Sequence, residues 1–264
     1  MARPPARGPA RRSLAVVAAI LVVAALAVAA YGTWYLFLQP AGPRSVAEST
    51  LPPVSSSAAP GSPAASASPP SSGSGTAVSG GIDGTWNVDT SIGSFSEFSG
   101  SFVGYRVQEE LGGIGANTAV GRTPDVSGTM TIAGAQVTAA TLTADLTSLQ
   151  SDDDRRDGQL RRQGLETQTF PTATFALTSP IDLGAVPAEN KEITVTAKGK
   201  LTLHGQTKDV ELPLKARLSG GAIAIAGSLP IAFADYGIEK PRSFAVLSIE
   251  DEGTMELQLF FTRG

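Results

Sequence analysis

The sequence predicts an all-β domain of antiparallel strands, a sandwich or an up-and-down barrel, carried behind an apolar run and a polar tether. Three observations predict it. Residues 82–264 show apolar side chains at a period of two, the mark of strands with one dry face. Short glycine-containing turns separate those strands. Only one long apolar run occurs, Leu14 to Leu38, and it lies outside the alternating region.

Residues 1–13 form a basic head with Arg3, Arg7, Arg11 and Arg12 and no acidic residue. Residues 14–38 follow as a candidate transmembrane helix, since 25 residues at about 1.5 Å each cross a hydrocarbon core of about 30 Å with some tilt. Positive charge ahead of the run predicts a cytoplasmic N-terminus and an extracytoplasmic C-terminal domain, a single-pass cell-membrane protein. Trp34, Tyr35 and Phe37 suit the outer membrane interface. The competing reading is a cleaved signal peptide with a small-residue site at Ala27-Val28-Ala29. The run continues past that site from Trp34 to Leu38, which favours a retained anchor; Arg11-Arg12 is a weak match to a twin-arginine signal. With no cysteine, the chain has no lipoprotein anchor, disulfide or thiolate metal site.

Residues 39–81 are rich in Pro, Ser, Ala and Gly, with Arg44 and Glu48 as the only charges. So little apolar surface cannot offset the entropy of ordering, which predicts a disordered linker acting as a spacer. As a coil it spans on the order of 35 Å, and fully extended more than about 100 Å.

Residues 82–264 are enough for one domain with a sizeable core. Strands are expected at Thr85–Thr90, Ser101–Gln108, Val126–Ile132, Gln136–Leu146, Ala173–Thr178, Thr194–His204, Asp209–Leu218, Ala222–Phe233, Phe244–Ile249 and Thr254–Thr262. His204-Gly205-Gln206-Thr207 reads as a hairpin turn, and Gly112 to Thr118 as a hairpin tip or barrel lip. Asp152–Thr167, with few β-branched residues, predicts a short surface helix with Leu160 and Leu165 as its buried points. Several dry-face positions are small: Ala140, Ala144, Ala197, Gly199, Ala222, Ala224, Ala226 and Gly227. A closed sheet lined by small residues can leave room for a ligand; close packing of neighbouring elements is the other reading.

Other chemistries find little support. The sole histidine, His204, reads as a surface residue beside a turn, without a partner for acid/base work. Asp152-Asp153-Asp154 departs from a calcium loop, with Arg156 at the fifth position, and fits an acidic helix start better. A net charge of -4 gives no basic footprint for nucleic acid. Gly112-Gly113-Ile114-Gly115 is not followed by a helix pattern, as a phosphate loop would be. No enzyme, catalytic residue, metal site or cofactor is predicted.

Trp86-Asn87-Val88-Asp89, Gly100-Ser101-Phe102, Arg156-Asp157-Gly158-Gln159-Leu160, Phe170-Pro171-Thr172-Ala173-Thr174-Phe175, Gly199 to Gly205 and Asp235-Tyr236-Gly237 come in an order and spacing that resembles the YceI-like family. The resemblance spans nearly all of Gly84 to Arg263 and leaves out the apolar run and the tether. It implies an extended lipocalin-like antiparallel β-barrel with a short helix near one mouth, and a tunnel for a polyisoprenoid or similar long amphiphile. It implies no catalytic activity, an exported location, and a homodimer as one arrangement seen among relatives. In that setting Phe102, Tyr105, Leu142, Phe175, Leu201 and Phe233 are the expected tunnel-lining residues. Where relatives resemble an Arg-x-Asp-Phe-Gly block, this chain has Phe233 in the arginine's place, which argues against a pyrophosphate ligand and for a less charged lipid or quinone.

Two functions therefore stand: an anchored module that binds a polyisoprenoid or quinone-like lipid, and a surface interaction domain with a packed barrel whose loops bind an envelope polymer or protein. An open apolar bore would favour the first and a filled one the second.

Overall fold

In the computed structural model the described residues are 22–27, 45–46, 51, 81–113, 115–242 and 246–264. The chain divides into two units, residues 1–42 and 43–264. In the first, residues 22–27 are helical, with Val22, Val23 and Leu26 exposed. The rest of the run 14–38, the basic head 1–13 and most of the tether 39–81 lie outside the described residues. Among the described residues no helix is long and apolar enough to cross a membrane.

The second unit is built on an eight-stranded antiparallel ring. Its members, in spatial order, are β1 (Gly84–Val88), β4 (Val126–Ala133), β5 (Gln136–Asp145), β7 (Thr172–Leu177), β9 (Glu192–Leu203), β10 (Gln206–Ser219), β11 (Ala222–Ala232) and β13 (Glu252–Arg263), with β13 pairing β1 to close it. The open choice between sandwich and barrel is thus resolved as a barrel, which leaves the ring no free edge. β13 forks. Its end Phe261–Arg263 pairs β1, whereas Thr254–Gln258 pairs β2 (Phe102–Leu111), which continues into β3 (Gly115–Thr123) and β6 (Gln150–Ser151). Two short strands lie off this path: β8 (Ile181–Asp182) pairs β5, and β12 (Val246–Ile249) pairs β2.

Strand β3 corrects the sequence reading, which kept Gly115 to Thr118 in a turn. GANTAVGRT has few large apolar residues, so it shows little alternation, yet it forms a continuous ladder with β2 from Val103↔Thr123 to Leu111↔Gly115. Its pairing partner, more than its own propensity, makes it a strand. Gly112 and Gly113 lie in the turn that follows β2.

The helix falls where expected. α1 (Asp154–Gln159) starts at Asp153, whose carboxylate accepts from the Arg155 and Arg156 N–H groups, and runs on as a π-helical turn, Leu160–Gly164. Leu160 and Leu165 pack against Leu146, Leu149 and Ala173 at one end of the barrel. The β9–β10 hairpin has a two-residue turn, His204-Gly205, both with positive φ (51° and 72°), a primed turn that matches strand twist.

His204 departs from the expected surface role: it is only 9 % exposed. Its Nδ1 faces the Tyr236 carbonyl and its Nε2 the Glu166 carboxylate, each at 3.0 Å, and its ring lies 4.4 Å from that of Phe170. The histidine ties the hairpin to the segment after α1 and to the 3-10 turn Phe233–Tyr236.

β11 and β13 are buried on both faces over Ala222–Gly227 and Glu256–Phe261. Their inward residues join the main core with Trp86, Phe175, Leu201 and Leu212. Their outward residues Ala224, Ala226 and Phe260 pack with Phe102 and with Val46 and Leu51 of the tether.

Candidate functional site: an apolar cavity in the barrel

The bore of the barrel contains a cavity of about 90 Å³. Seven of the eight ring strands line it, through Met130 and Ile132 on β4, Ala140 and Leu142 on β5, Phe175 and Leu177 on β7, Val195 and Ala197 on β9, Leu212 and Leu214 on β10, Ile225 on β11, and Leu257 and Phe261 on β13. At one end the lining runs out through half-buried Ile181, Leu183, Pro187 and Leu218, which form a mouth. Arg217 is the one charged residue in the lining. On its strand it alternates with the inward Ala216 and Leu218, and its Nη2 donates outward to the Leu51 carbonyl.

Two local features shape the bore. Opposite Thr131 and Ile132 of β4, β5 carries one extra residue, so Ile132 faces Val137 while Thr131 faces Ala139. This bulge shifts the inward phase of β5, which is why Val137, Ala140 and Leu142 all line the cavity despite an odd spacing. Across β7 and β9, Phe175 lies over Gly199, where a Cβ would stand 2.4 Å from Phe175 Cζ and 2.6 Å from the Ala176 carbonyl oxygen. The missing side chain lets the ring lie flat beside the cavity.

The expected tunnel residues fall in different places. Leu142 and Phe175 line the cavity. Leu201 is buried in the core beside Phe175 but is not among the lining. Phe102 points outward into the cluster with Phe260, beneath the Arg122 guanidinium at 4.2 Å. Tyr105 packs beyond the cavity's inner end with Leu146, Leu149 and Ala173. Phe233 sits in the 3-10 turn, half-buried, near Gly253. Phe102 and Tyr105 are three residues apart on one strand, so the pleat itself puts them on opposite faces.

Polar groups gather outside the bore. The Tyr105 hydroxyl is buried and has no hydrogen-bond partner among the described residues. Burial pushes its pKa well up, against the pull of Arg156 and with the help of Asp157 and Glu109. Arg156 bridges Glu109 and Asp152; burial pulls it down, but the two carboxylates outweigh that and leave it raised. On the outer face Glu256, with no exposed surface, meets Arg106 Nε at 2.8 Å and Arg122 Nη2 at 3.4 Å. Burial draws Arg122 down, and Glu256 opposes it. None of these groups belongs to the cavity lining, so the site offers shape and apolar surface without a charged reaction centre.

The chain is similar to several known proteins. The family model of the YceI-like domain matches residues 86–261. Among solved structures, a polyisoprenoid-binding domain from Saccharophagus degradans implicated in plant cell wall breakdown is 24 % identical, with a TM-score of 0.52, over 68 % of this chain and 98 % of its own. BcnA from Burkholderia cenocepacia is 22 % identical, with a TM-score of 0.48, over 66 % and 98 %. The YceI protein of Campylobacter jejuni is 17 % identical, with a TM-score of 0.43, over 53 % and 82 %. No curated protein matches the chain.

Proposed function

The chain belongs to the YceI-like family, and from that premise we propose that it is a binding protein that holds a long apolar lipid, of polyisoprenoid or quinone type, in the bore of its barrel. The observation that carries this reading is the cavity lining. Side chains from seven strands converge on one space and present hydrocarbon almost throughout, a surface that selects for hydrocarbon and against polar solutes.

The size of the space sets how binding works. An apolar cavity of about 150 Å³ admits benzene, so the roughly 90 Å³ here takes a short branched segment as it stands. A longer chain extends through the mouth at Leu183 and Pro187 or is admitted as flexible lining residues such as Met130 change rotamer. At about 0.8 kcal/mol per buried carbon, ten to fifteen carbons provide on the order of 8 to 12 kcal/mol before association costs. The absence of a ring of cations in the lining, with Phe233 in place of the family's arginine, supports a ligand of low headgroup charge.

The same proposal places the apolar run 14–38 in the cell membrane, with residues 1–13 in the cytoplasm and the barrel outside it. The length of the run and the four arginines ahead of it support this. Binding rather than catalysis is supported by a lining of hydrocarbon side chains in which Arg217 is the one titratable residue.

The test is organic extraction and mass spectrometry of the purified chain beside its Ala197→Phe variant, which fills the cavity from β9. A long-chain isoprenoid or quinone recovered from the natural chain and reduced at least tenfold in the variant is the expected result. A folded chain that carries and takes up none overturns the reading in favour of a surface interaction domain.

A further inference from the structure

We propose that the outer face of the barrel made by β2, β11 and β13 is a docking surface for Ser45, Val46 and Leu51 of the chain's own tether, held there by the buried carboxylate of Glu256. Glu256 points outward from β13, in the same phase as Gln258 and Phe260, and yet has no exposed surface. Its Oε1 accepts from Ser45 Oγ at 2.8 Å and from the Val46 N–H at 3.1 Å, besides Arg106 Nε. A carboxylate taken out of water must have its lone pairs met, and two of the groups that meet them here come from the segment ahead of the family domain.

Apolar contacts follow the same line. Val46 is 3 % and Leu51 2 % exposed, packed with Phe102, Phe260, Ala224 and Ala226. Alanine at 224 and 226 makes the groove that two larger side chains fill, and Arg217 closes it by donating to the Leu51 carbonyl. Between residues 39 and 81 the only Val, Leu, Ile, Met or aromatic residues are Val46, Leu51, Val54 and Val78. Two of those four sit in this groove, so the segment matches it in composition as well as in geometry.

Docking redefines the folded unit, which then begins near Ser45 instead of Ile82. The docking itself does not depend on where the apolar run lies or on any lipid.

Hydrogen exchange read by mass spectrometry on the full chain, without added lipid, tests it. The Val46 amide, followed in the peptides that contain it, is expected to exchange on the order of 100-fold slower than its intrinsic rate. In a Val46→Asp/Leu51→Asp variant that protection is lost while peptides from β11 and β13 stay protected. Exchange of the Val46 amide at its intrinsic rate in the natural chain overturns the proposal, and that measurement decides even if the variant does not fold.

Discussion

Replacing Gly199 by alanine probes the packing that shapes the cavity. The new Cβ would stand 2.4 and 2.5 Å from two carbons of the Phe175 ring and 2.6 Å from the Ala176 carbonyl oxygen. Carbon atoms settle at about 3.5–4.0 Å, so the ring must retreat by about 1 Å or more, and the cavity it lines is open to receive it. The Ala176 oxygen belongs to the paired strand β7 and cannot retreat without loosening the ladder. Overpacking of this kind costs about 1–3 kcal/mol, and the lower entropy of the unfolded alanine chain returns about 0.4–1 kcal/mol. A net loss of about 1–2 kcal/mol is expected, together with weaker lipid uptake because the ring now occupies the bore. Urea unfolding measures the first, with an unchanged m-value. Adding Phe175→Leu to Gly199→Ala should show a coupling of about 1 kcal/mol, since the shorter side chain removes the clash. A Gly199→Ala protein as stable as the natural one, with no coupling to Phe175, would refute this account of the packing.

Other outcomes follow from the polar groups. Glu256→Gln leaves Arg106 and Arg122 without their shared carboxylate and is expected to lower stability by about 3–5 kcal/mol, read from the denaturant midpoint; a change below about 1 kcal/mol would mean that the cluster is solvated. Tyr105→Phe removes a buried hydroxyl that lacks a partner among the described residues, so stability should rise by about 1 kcal/mol, whereas a loss of that size would reveal a partner. The Asp89 carboxyl is held below its ordinary value of 3.8 by the Ser91 hydroxyl; burial pushes back, and the Ser91 N–H and Thr262 hydroxyl add to the lowering. Its folded pKa is depressed, so its contribution is present above about pH 4 and disappears as pH falls through the folded value. Asp89→Asn should flatten the fall in stability as the pH drops below about 4, and an acid profile identical to the natural chain's would show that Asp89 is not its source.

The strands were legible because alternation is a property of each strand by itself. β9 shows it along its whole length and β10 from Val210 onward, and the His204-Gly205 turn between them is short and contains the glycine it needs. β3 was not legible, because its residues are held by β2 and carry no apolar rhythm. The site was harder to read because the position of open space depends on how eight strands register against one another. The small residues illustrate this. Ala140 and Ala197 do border the cavity, but Gly199 is covered by the Phe175 ring, Gly227 lies against Leu214, and Ala224 and Ala226 face outward under Val46 and Leu51. Size alone cannot separate those cases. That Phe102 and Tyr105 cannot both line one bore was within reach of sequence, since their odd spacing forbids a shared face. The bulge opposite Thr131 was not, because it breaks the count without a glycine or proline to mark it. His204 was misplaced for a related reason: its contacts, Glu166, Phe170 and Tyr236, come from segments distant in sequence.

The central claim is that the apolar bore holds a lipid. Native mass spectrometry of the purified chain, followed by extraction and identification of whatever it carries, tests this most directly. The account predicts one long-chain isoprenoid or quinone per chain, diminished by Ala197→Phe with the fold retained. A folded natural chain that carries none, and takes up none from added isoprenoid, would contradict it.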